Sequence, residues 1–441
     1  MRSTRRGVLA AAGTALLAGC STFDGVQSDG ERSVPPPFLA EPEDWAHPGH
    51  GPGNARRARG DAAPRHAPDG ATWRRELSAS TVDSVAQPVV ADGVAYVAFV
   101  GVDRGTEFAR LVALDLDTGA VRWVVEVSGT AYAGAPRVAG ETVLWRGGAD
   151  TLYAFHAADG SERWTWRVRN HVDPVAAHGL ALVTVPAEDD GDGEELVAVD
   201  VRDGDAAWTR READRGWLPH AADDDRFYVT RTNDGSSAGA LLALDHRTGE
   251  IAWSAAGVAP RSLVVAGGRA FSAIDASEGS EFLALDTADD EPGWSRSRAV
   301  ERETDDGTVT GEETVAAATA DVVVASQDFH GRAPNRVVAR DAATGDVTWT
   351  VGDEDLSVAP SALPFVCGDA LYVPVDDDAA GDNGEDVERT APALSVHALD
   401  DGSVRDRQGL DVTELVHVVV ADGSIVAVAR PSGNAVSVAA W

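Results

Sequence analysis

Two acidic runs are the first places to look for chemistry in this chain. Glu188-Asp189-Asp190-Gly191-Asp192-Gly193-Glu194-Glu195 is one, and Asp376-Asp377-Asp378 followed by Asp382-Asn383-Gly384-Glu385-Asp386 is the other. Both crowd carboxylates as a Ca²⁺ site would, since that ion takes about six to eight oxygens. Neither fits the calcium-loop pattern D-x-[DN]-x-[DN]-G: Asp376, Asp378 and Gly381 match, but Ala380 stands where a ligand is required. They read as solvated loops. His47 and His50 form an imidazole pair without the further ligands that close a metal site. Gly235-Ser236-Ser237-Ala238-Gly239 has the form G-x-S-x-G, but it lies between two strands, where no strand-to-helix elbow strains the serine. Cys367, within Pro364-Phe365-Val366-Cys367-Gly368, reads as a buried apolar thiol. The chain contains no lysine, which removes Schiff-base chemistry and phosphate-cradling lysine motifs together. No catalytic, cofactor-binding or metal-ligating residue is assigned, and no cofactor is expected.

The chemistry that can be assigned lies at the N-terminus. Arg5-Arg6 precede the apolar run Val8–Ala18, the pattern of a twin-arginine export signal. That run is too short to cross a bilayer, which takes about 20 residues. It ends in Leu17-Ala18-Gly19-Cys20, the form of a lipobox, so Cys20 is the expected point of lipid attachment. Residues 1–20 are read as the signal. Residues 21–70, rich in Ser, Asp, Gly and Pro, are read as a flexible tether, with Trp45 to Asn54 packed on the rim of the domain that follows. The expected location is the extracytoplasmic face of the cell membrane.

That domain must be built from a repeated unit. ALDLDTGAVRW (113–123), ALDHRTGEIAW (243–253) and ARDAATGDVTW (339–349) are near copies, and 154–164, 198–208 and 284–294 are weaker ones. A glycine stands four residues before Trp123, Trp164, Trp208, Trp253 and Trp349; before Trp294 the position is Asp290. These tryptophans recur every 41 to 55 residues. Strand-forming sequence at such a period predicts an all-β propeller of four-stranded antiparallel blades. Residues 71–77, including Trp73, read as the last strand of a repeat without its beginning, and 416–441 read as three strands without a fourth. The N-terminal strand is therefore expected to close the last blade, giving eight blades over residues 71–441. Blade seven lacks a tryptophan, with Asp406 in its place. Gly, Asp and Thr are explained by the turn and Trp by the blade interface, so these residues are given structural roles only.

Composition narrows the partners. The net charge is −35, from 37 basic and 72 acidic residues spread along the whole chain. Such a surface suits high salt, which screens self-repulsion, and it offers no basic stripe for nucleic acid. A salt-loving prokaryote is the expected source, and nucleic acid is excluded as a partner.

The string A-x-D-x-x-T-G-x-x-x-W resembles the repeat of the PQQ-binding-like, quinoprotein-type β-propellers. That family includes quinoprotein alcohol dehydrogenases and the outer-membrane assembly lipoprotein of bacteria. The likeness extends over residues 45–441, because Trp45, Gly49 and Asn54 resemble the W-x-x-x-G…N opening common before such propellers. Catalytic members bind Ca²⁺ beside the quinone, and many carry adjacent cysteines. This chain has no adjacent cysteines, and no catalytic aspartate or calcium ligand carries over.

In a meander of four strands, alternate connections fall on opposite faces. The first-to-second turns (91–93, 178–179, 266–268, 367–369) are short, and so are the third-to-fourth turns. The second-to-third connections 99–110, 186–195, 231–240, 275–281, 327–336 and 376–392 read as long and irregular, and they share a face with the linker 296–313. A protein or ligand partner is expected on that long-loop face. The leading reading is a non-catalytic, membrane-anchored interaction platform. The alternatives are a PQQ- and calcium-dependent dehydrogenase of alcohols or sugars, and a carbohydrate- or peptide-binding surface receptor.

Overall fold

The computed structural model describes residues 25–28, 44–63 and 70–441, except 131, 170–171, 188–192, 213–214, 234–235, 261, 277–278, 290–291, 299, 305–306, 353–357, 359–361, 376–391 and 431–434. The strands form eight antiparallel blades in a ring, without a helix among the described residues. Blade 1 runs from a split inner strand (Thr81–Val85 and Val89–Ala91) through Val94–Asp103 and Thr106–Asp115 to Val121–Ser128. Blades 2 to 7 repeat this order, with inner strands Arg137–Ala139, Val175–Ala177, Arg215–Ala222, Ser262–Ala266, Glu312–Ala318 and Phe365–Cys367. Blade 8 is closed as expected: Leu415–Ala421, Ser424–Ala429 and Ala435–Ala440 are completed by Trp73–Ser78, in register from Trp73↔Ala440 to Ser78↔Ala435. Closure by backbone pairing leaves no terminal blade edge open.

The rim is built from one contact used seven times. Each tryptophan donates its indole N–H to a backbone carbonyl of the next blade: Trp73 to Leu116 (2.6 Å), Trp123 to Ala157 (2.9 Å), Trp164 to Val201 (3.1 Å), Trp208 to His246 (2.9 Å), Trp253 to Thr287 (3.0 Å), Trp294 to Ala342 (2.9 Å) and Trp349 to Leu399 (3.1 Å). In six of the seven the ring then lies on the turn glycine of that blade; blade 5, which receives Trp253, has Asp290 at that sequence position. At Gly345 (φ 74°) an added Cβ would fall 2.5 Å from the Trp294 ring, so the site demands glycine for its backbone and for the space. The same turn is held by its aspartate: Asp115 accepts from the Thr118 N–H (3.1 Å) and hydroxyl (2.7 Å), and Asp245 and Asp341 repeat the pattern.

Blade 7 shows why the rule has one exception. Its neighbour, blade 8, has no third-to-fourth hairpin, because those two strands come from opposite ends of the chain. A tryptophan at 406 would find no hairpin turn to lie on, and the exposed Asp406 costs nothing there.

The two faces differ, though not wholly as the sequence suggests. The connections at 99–110, 231–240 and 275–281 are continuations of paired strands. Val94–Asp103 and Thr106–Asp115 leave only Arg104-Gly105 (φ 50° and 83°) as a two-residue turn, the form that matches strand twist. Arg226–Asn233 with Ser236–Asp245, and Arg269–Ala276 with Gly279–Asp286, are likewise paired to their ends, Asn233 with Ser236 and Ala276 with Gly279. The linker 296–313 folds part of itself into the hairpin Glu301–Thr304 and Gly307–Thr310. In the first of these ribbons Phe99, Val100, Phe108 and Ala109 are buried and only the polar tip from Asp103 to Glu107 is exposed, and that tip gives the stretch its loop-like sequence. One face thus carries ribbons and long connections, and the other carries only tight turns.

Candidate functional site: the propeller axis

The inner strands read Val-Val-Ala, Arg-Val-Ala, Val-Ala-Ala and Phe-Val-Cys in blades 1, 2, 3 and 7. Small residues suit strands that converge on an axis, but convergence leaves their inner edges without a pairing strand. Residues 44–63 supply the partners. Trp45 exchanges bonds with Val90 in blade 1 (2.8 Å each), and the Ala46 carbonyl accepts from Val138 in blade 2 (2.9 Å). Pro52 accepts from Ala222 (2.8 Å), Gly53 from Val265 (2.7 Å), Ala55 from Ala318 (3.0 Å), Arg56 from Val366 (2.8 Å) and Ala62 from Gly423 (3.1 Å). The segment therefore circles the axis on the tight-turn face and ties itself to blades 1, 2, 4, 5, 6, 7 and 8.

This placement corrects part of the tether reading. Within 21–70, Gly25–Ser28 pairs with the outer strand of blade 3, Arg57–Ala58 pairs in parallel with the inner strand of blade 7, and Trp45 is 0% exposed. The stretch from Trp45 to Asn54 covers the hub and not the rim, because the unpaired edges are there. The W-x-x-x-G…N opening now has its reasons. Trp45 packs edge-on to His50 and Phe365, with ring centroids 5.2 and 5.6 Å away. Gly49 leaves room for Asn54, whose amide donates to the His220 carbonyl (2.7 Å) and the Leu263 carbonyl (3.4 Å).

Blade 3 is the sector that the segment steps around. The His47–Gly51 stretch turns on itself there, with His50 N–H donating to the His47 carbonyl (2.8 Å), and a cavity of about 360 Å³ is left above it. Its floor is His47, Pro48, Pro52 and Asn54, and its walls include Arg137, Asp173, Leu218 and His220. Val172, Asp173 and Pro260 lie in linkers that enter the inner strands from the ribbon-bearing face, so the cavity opens toward that face.

Charge in this cavity is arranged around Asp173. Its carboxylate accepts from the Tyr132 hydroxyl (3.1 Å) and lies 3.8 Å from the Arg137 guanidinium and 3.6 Å from that of Arg146. Arg146 is 1% exposed and lies over the Tyr132 ring at 4.4 Å. Two guanidiniums face one carboxylate. Burial pushes the Tyr132 hydroxyl up to about 12, with Asp173 adding to the shift. The histidines contribute no charge at neutral pH. Burial, then Arg137 and His50, hold His47 down at about 3, and burial holds His220 at about 4.

These donors do not fit a calcium-quinone centre. The ion wants about six to eight oxygens, and the cavity's one lining carboxylate already serves two arginines and a tyrosine. Among the described residues no group of three or more His, Cys, Asp or Glu could hold a metal ion. Of the other residues weighed from sequence, Glu194 bonds the Trp217 N–H (3.1 Å) and Arg169 (2.9 Å), and Glu195 pairs with Arg211 (3.5 Å). The Cys367 thiol donates to the Arg59 carbonyl and is pushed up by burial. Ser236 to Gly239 begin a strand of blade 4. Arg5, Arg6, Cys20 and the acidic runs 188–192 and 376–386 lie outside the described residues. Arg137, Arg146 and Asp173 were not singled out from sequence. The available signal was an arginine in an inner strand where other blades place small apolar residues.

The family model described as outer membrane protein assembly factor BamB matches residues 65–216 and 192–355, together about two thirds of the chain. No curated protein matches. Among solved structures, a europium-containing methanol dehydrogenase superposes with a TM-score of 0.56 at 12% identity, covering 89% of this chain and 91% of its own. The quinohemoprotein alcohol dehydrogenase from Comamonas testosteroni gives 0.57 at 13%, covering 90% and 80%. The computationally designed Ika8 protein gives 0.52 at 13%, covering 82% and 97%. At such identities the likeness is one of fold, and a designed protein sharing it underlines that the ring prescribes no activity. The repeat, the closure and the matched residues together place this chain in the PQQ-like β-propeller family, whose matching model is described as the assembly factor BamB.

Proposed function

We propose that this chain is a non-catalytic interaction platform, exported by the twin-arginine route and held by lipid on Cys20 at the extracytoplasmic face of the cell membrane. The observation that carries the reading is the asymmetry of the axis. Residues 44–63 cover it on the tight-turn face, so a partner reaches the hub from the face that bears the ribbons and the open cavity. A buried guanidinium pair around one committed carboxylate binds and orients; it supplies neither a general base nor a hydride acceptor. The lysine-free acidic surface suits a platform that stays soluble in high salt.

A photo-crosslinking residue at Arg104, on a ribbon tip, is expected to give partner adducts in membranes of the native host. The same residue at Asp117, on a tight turn of the opposite face, is expected to give none. Adducts from Asp117 alone would overturn the reading, and so would turnover of alcohols with quinone and calcium added. Mass spectrometry of the N-terminal peptide tests the anchor, with Cys20→Ser expected to move the protein to the aqueous phase.

A further inference from the structure

Arg137 lines the axial cavity, Arg146 is buried behind the lining Asp173, and together they have more hydrogen-bonding capacity than the protein uses. A guanidinium carries five N–H donors. Arg146 spends Nη2 on the Ala149 carbonyl (2.8 Å), while its Nε and Nη1 meet no hydrogen-bond acceptor although the side chain is 1% exposed. Arg137 makes one hydrogen bond, from Nη1 to the Ala135 carbonyl (3.0 Å). Asp173 approaches both at ion-pair distance, 3.8 and 3.6 Å, too far to satisfy either in hydrogen-bonding terms. Such donors are costly to leave unmet in a buried site. The register explains their convergence: Arg137 on the inner strand lies opposite Leu144, and Arg146 follows two residues along the second strand on the same face. The opposite wall is different in kind. Leu218, 39% exposed although on an inner strand, faces the cavity with Val172, Pro219 and Pro260.

We infer that this cavity binds a carboxylate carried on a compact apolar body, the carboxylate engaging Arg137 on the Arg146 side and the apolar part lying against Leu218. A planar carboxylate matches the fork of a guanidinium, and charge-assisted bonds of this type are the strong ones. The volume suits a ligand no larger than an amino-acid residue or two. Two sources share that chemistry: a free short acid, and the C-terminal residue of a polypeptide. The inference deepens the platform reading and rests on it for the face from which the ligand enters.

Titration calorimetry on the full chain tests it with four probes: N-acetyl-leucine, its amide, a peptide ending in Leu with a free carboxylate, and the same peptide amidated. The acids are expected to bind at least about tenfold more tightly than the amides, a difference of about 1.4 kcal/mol. Binding by the peptide acid alone assigns the polypeptide source, and binding by the small acid alone assigns the free one. Arg137→Gln and Leu218→Trp are each expected to cut acid binding by at least about tenfold. Leu218→Trp fills the cavity from an exposed position, so it answers the question even if Arg137→Gln unfolds the chain. No heat from either acid, equal binding of acid and amide, or full binding by a folded Leu218→Trp protein would overturn the inference. The two readings fail separately: acid binding without adducts at Arg104 removes the platform alone, and adducts without acid binding remove the carboxylate site alone.

Discussion

The rim and the hub of this propeller solve the same problem by different means. Each must join eight separate sheets. At the rim the joint is a tryptophan bonded to a carbonyl of the next blade, repeated at seven interfaces with indole-to-carbonyl distances between 2.6 and 3.1 Å, and laid on a turn glycine at six of them. At the hub a single irregular segment visits seven blades in turn, and each contact is a backbone bond, made without any repeating residue pattern. Repetition gives the rim redundancy, since one interface can lack its tryptophan where the next blade offers no turn. The hub has no such redundancy, but its irregularity leaves room for a cavity in the one sector it does not tie. Stability is thus spread over the rim, while the means of recognition gather at the hub.

The largest expected effects compare the two joints directly. Trp208→Ala at the rim and Trp45→Ala at the hub remove side chains that are 1% and 0% exposed. Each is expected to cost about 3–5 kcal/mol in urea unfolding; a loss under about 1 kcal/mol at Trp45 would show that the segment is only laid on the hub. Gly345→Ala comes next, at about 2–4 kcal/mol, because it combines a left-handed backbone with a Cβ 2.5 Å from the Trp294 ring. Gly53→Ala meets the Val265 carbonyl at 2.7 Å and the Ala222 carbonyl at 3.4 Å, and is expected to cost about 1–3 kcal/mol in the same experiment.

Acid should separate the two regions. His47, His50, His220 and His417 ring the hub, and burial holds them from the usual 6.5 down to about 3 for His47 and about 4 for the others. The unfolded chain takes up protons below 6.5 that the folded hub refuses, so stability falls as pH drops from 6.5 toward 4. The rim aspartates behave otherwise. Bonds from Thr118 and Arg122 hold Asp115 below the usual 3.8, and bonds from Thr344 do the same for Asp341. Their contribution is present above 3.8 and is lost only as pH falls below it. Unfolding curves across pH are expected to show the first loss flattened by His220→Asn and His417→Asn and untouched by Asp341→Asn.

The smallest expected effect is the sharpest test of the rim rule. Asp406→Trp restores the missing tryptophan beside a blade that has no turn to receive it. Stability should move by no more than about 0.5 kcal/mol. A gain comparable to the loss from Trp349→Ala would mean that a docking surface exists there after all.

The rim was legible in the sequence because its joints are side chains. Glycine four residues before tryptophan, and a lone Trp73 strand before the first repeat, announce both the blades and their closure. The hub was legible only as a motif without a reason, since Trp45, Gly49 and Asn54 serve backbone bonds that leave no periodic trace. The first ribbon reads as a loop because its exposed tip, Asp103 to Glu107, is polar and carries no alternation, although Phe99 and Phe108 below it are buried. The cavity's arginines were hidden by the strands around them, where a guanidinium in an inner strand reads as one more surface charge in an acidic protein.

The most direct test of the central claim, that residues 44–63 seal the axis on one face, is amide hydrogen exchange on the full chain. The account predicts that Trp45 and the inner-strand amides of Val138, Ala222, Val265, Ala318 and Val366 exchange as slowly as the blade cores. Exchange of those amides at the rate of an exposed linker, with the blades still protected, would contradict it and leave the axis open at both ends.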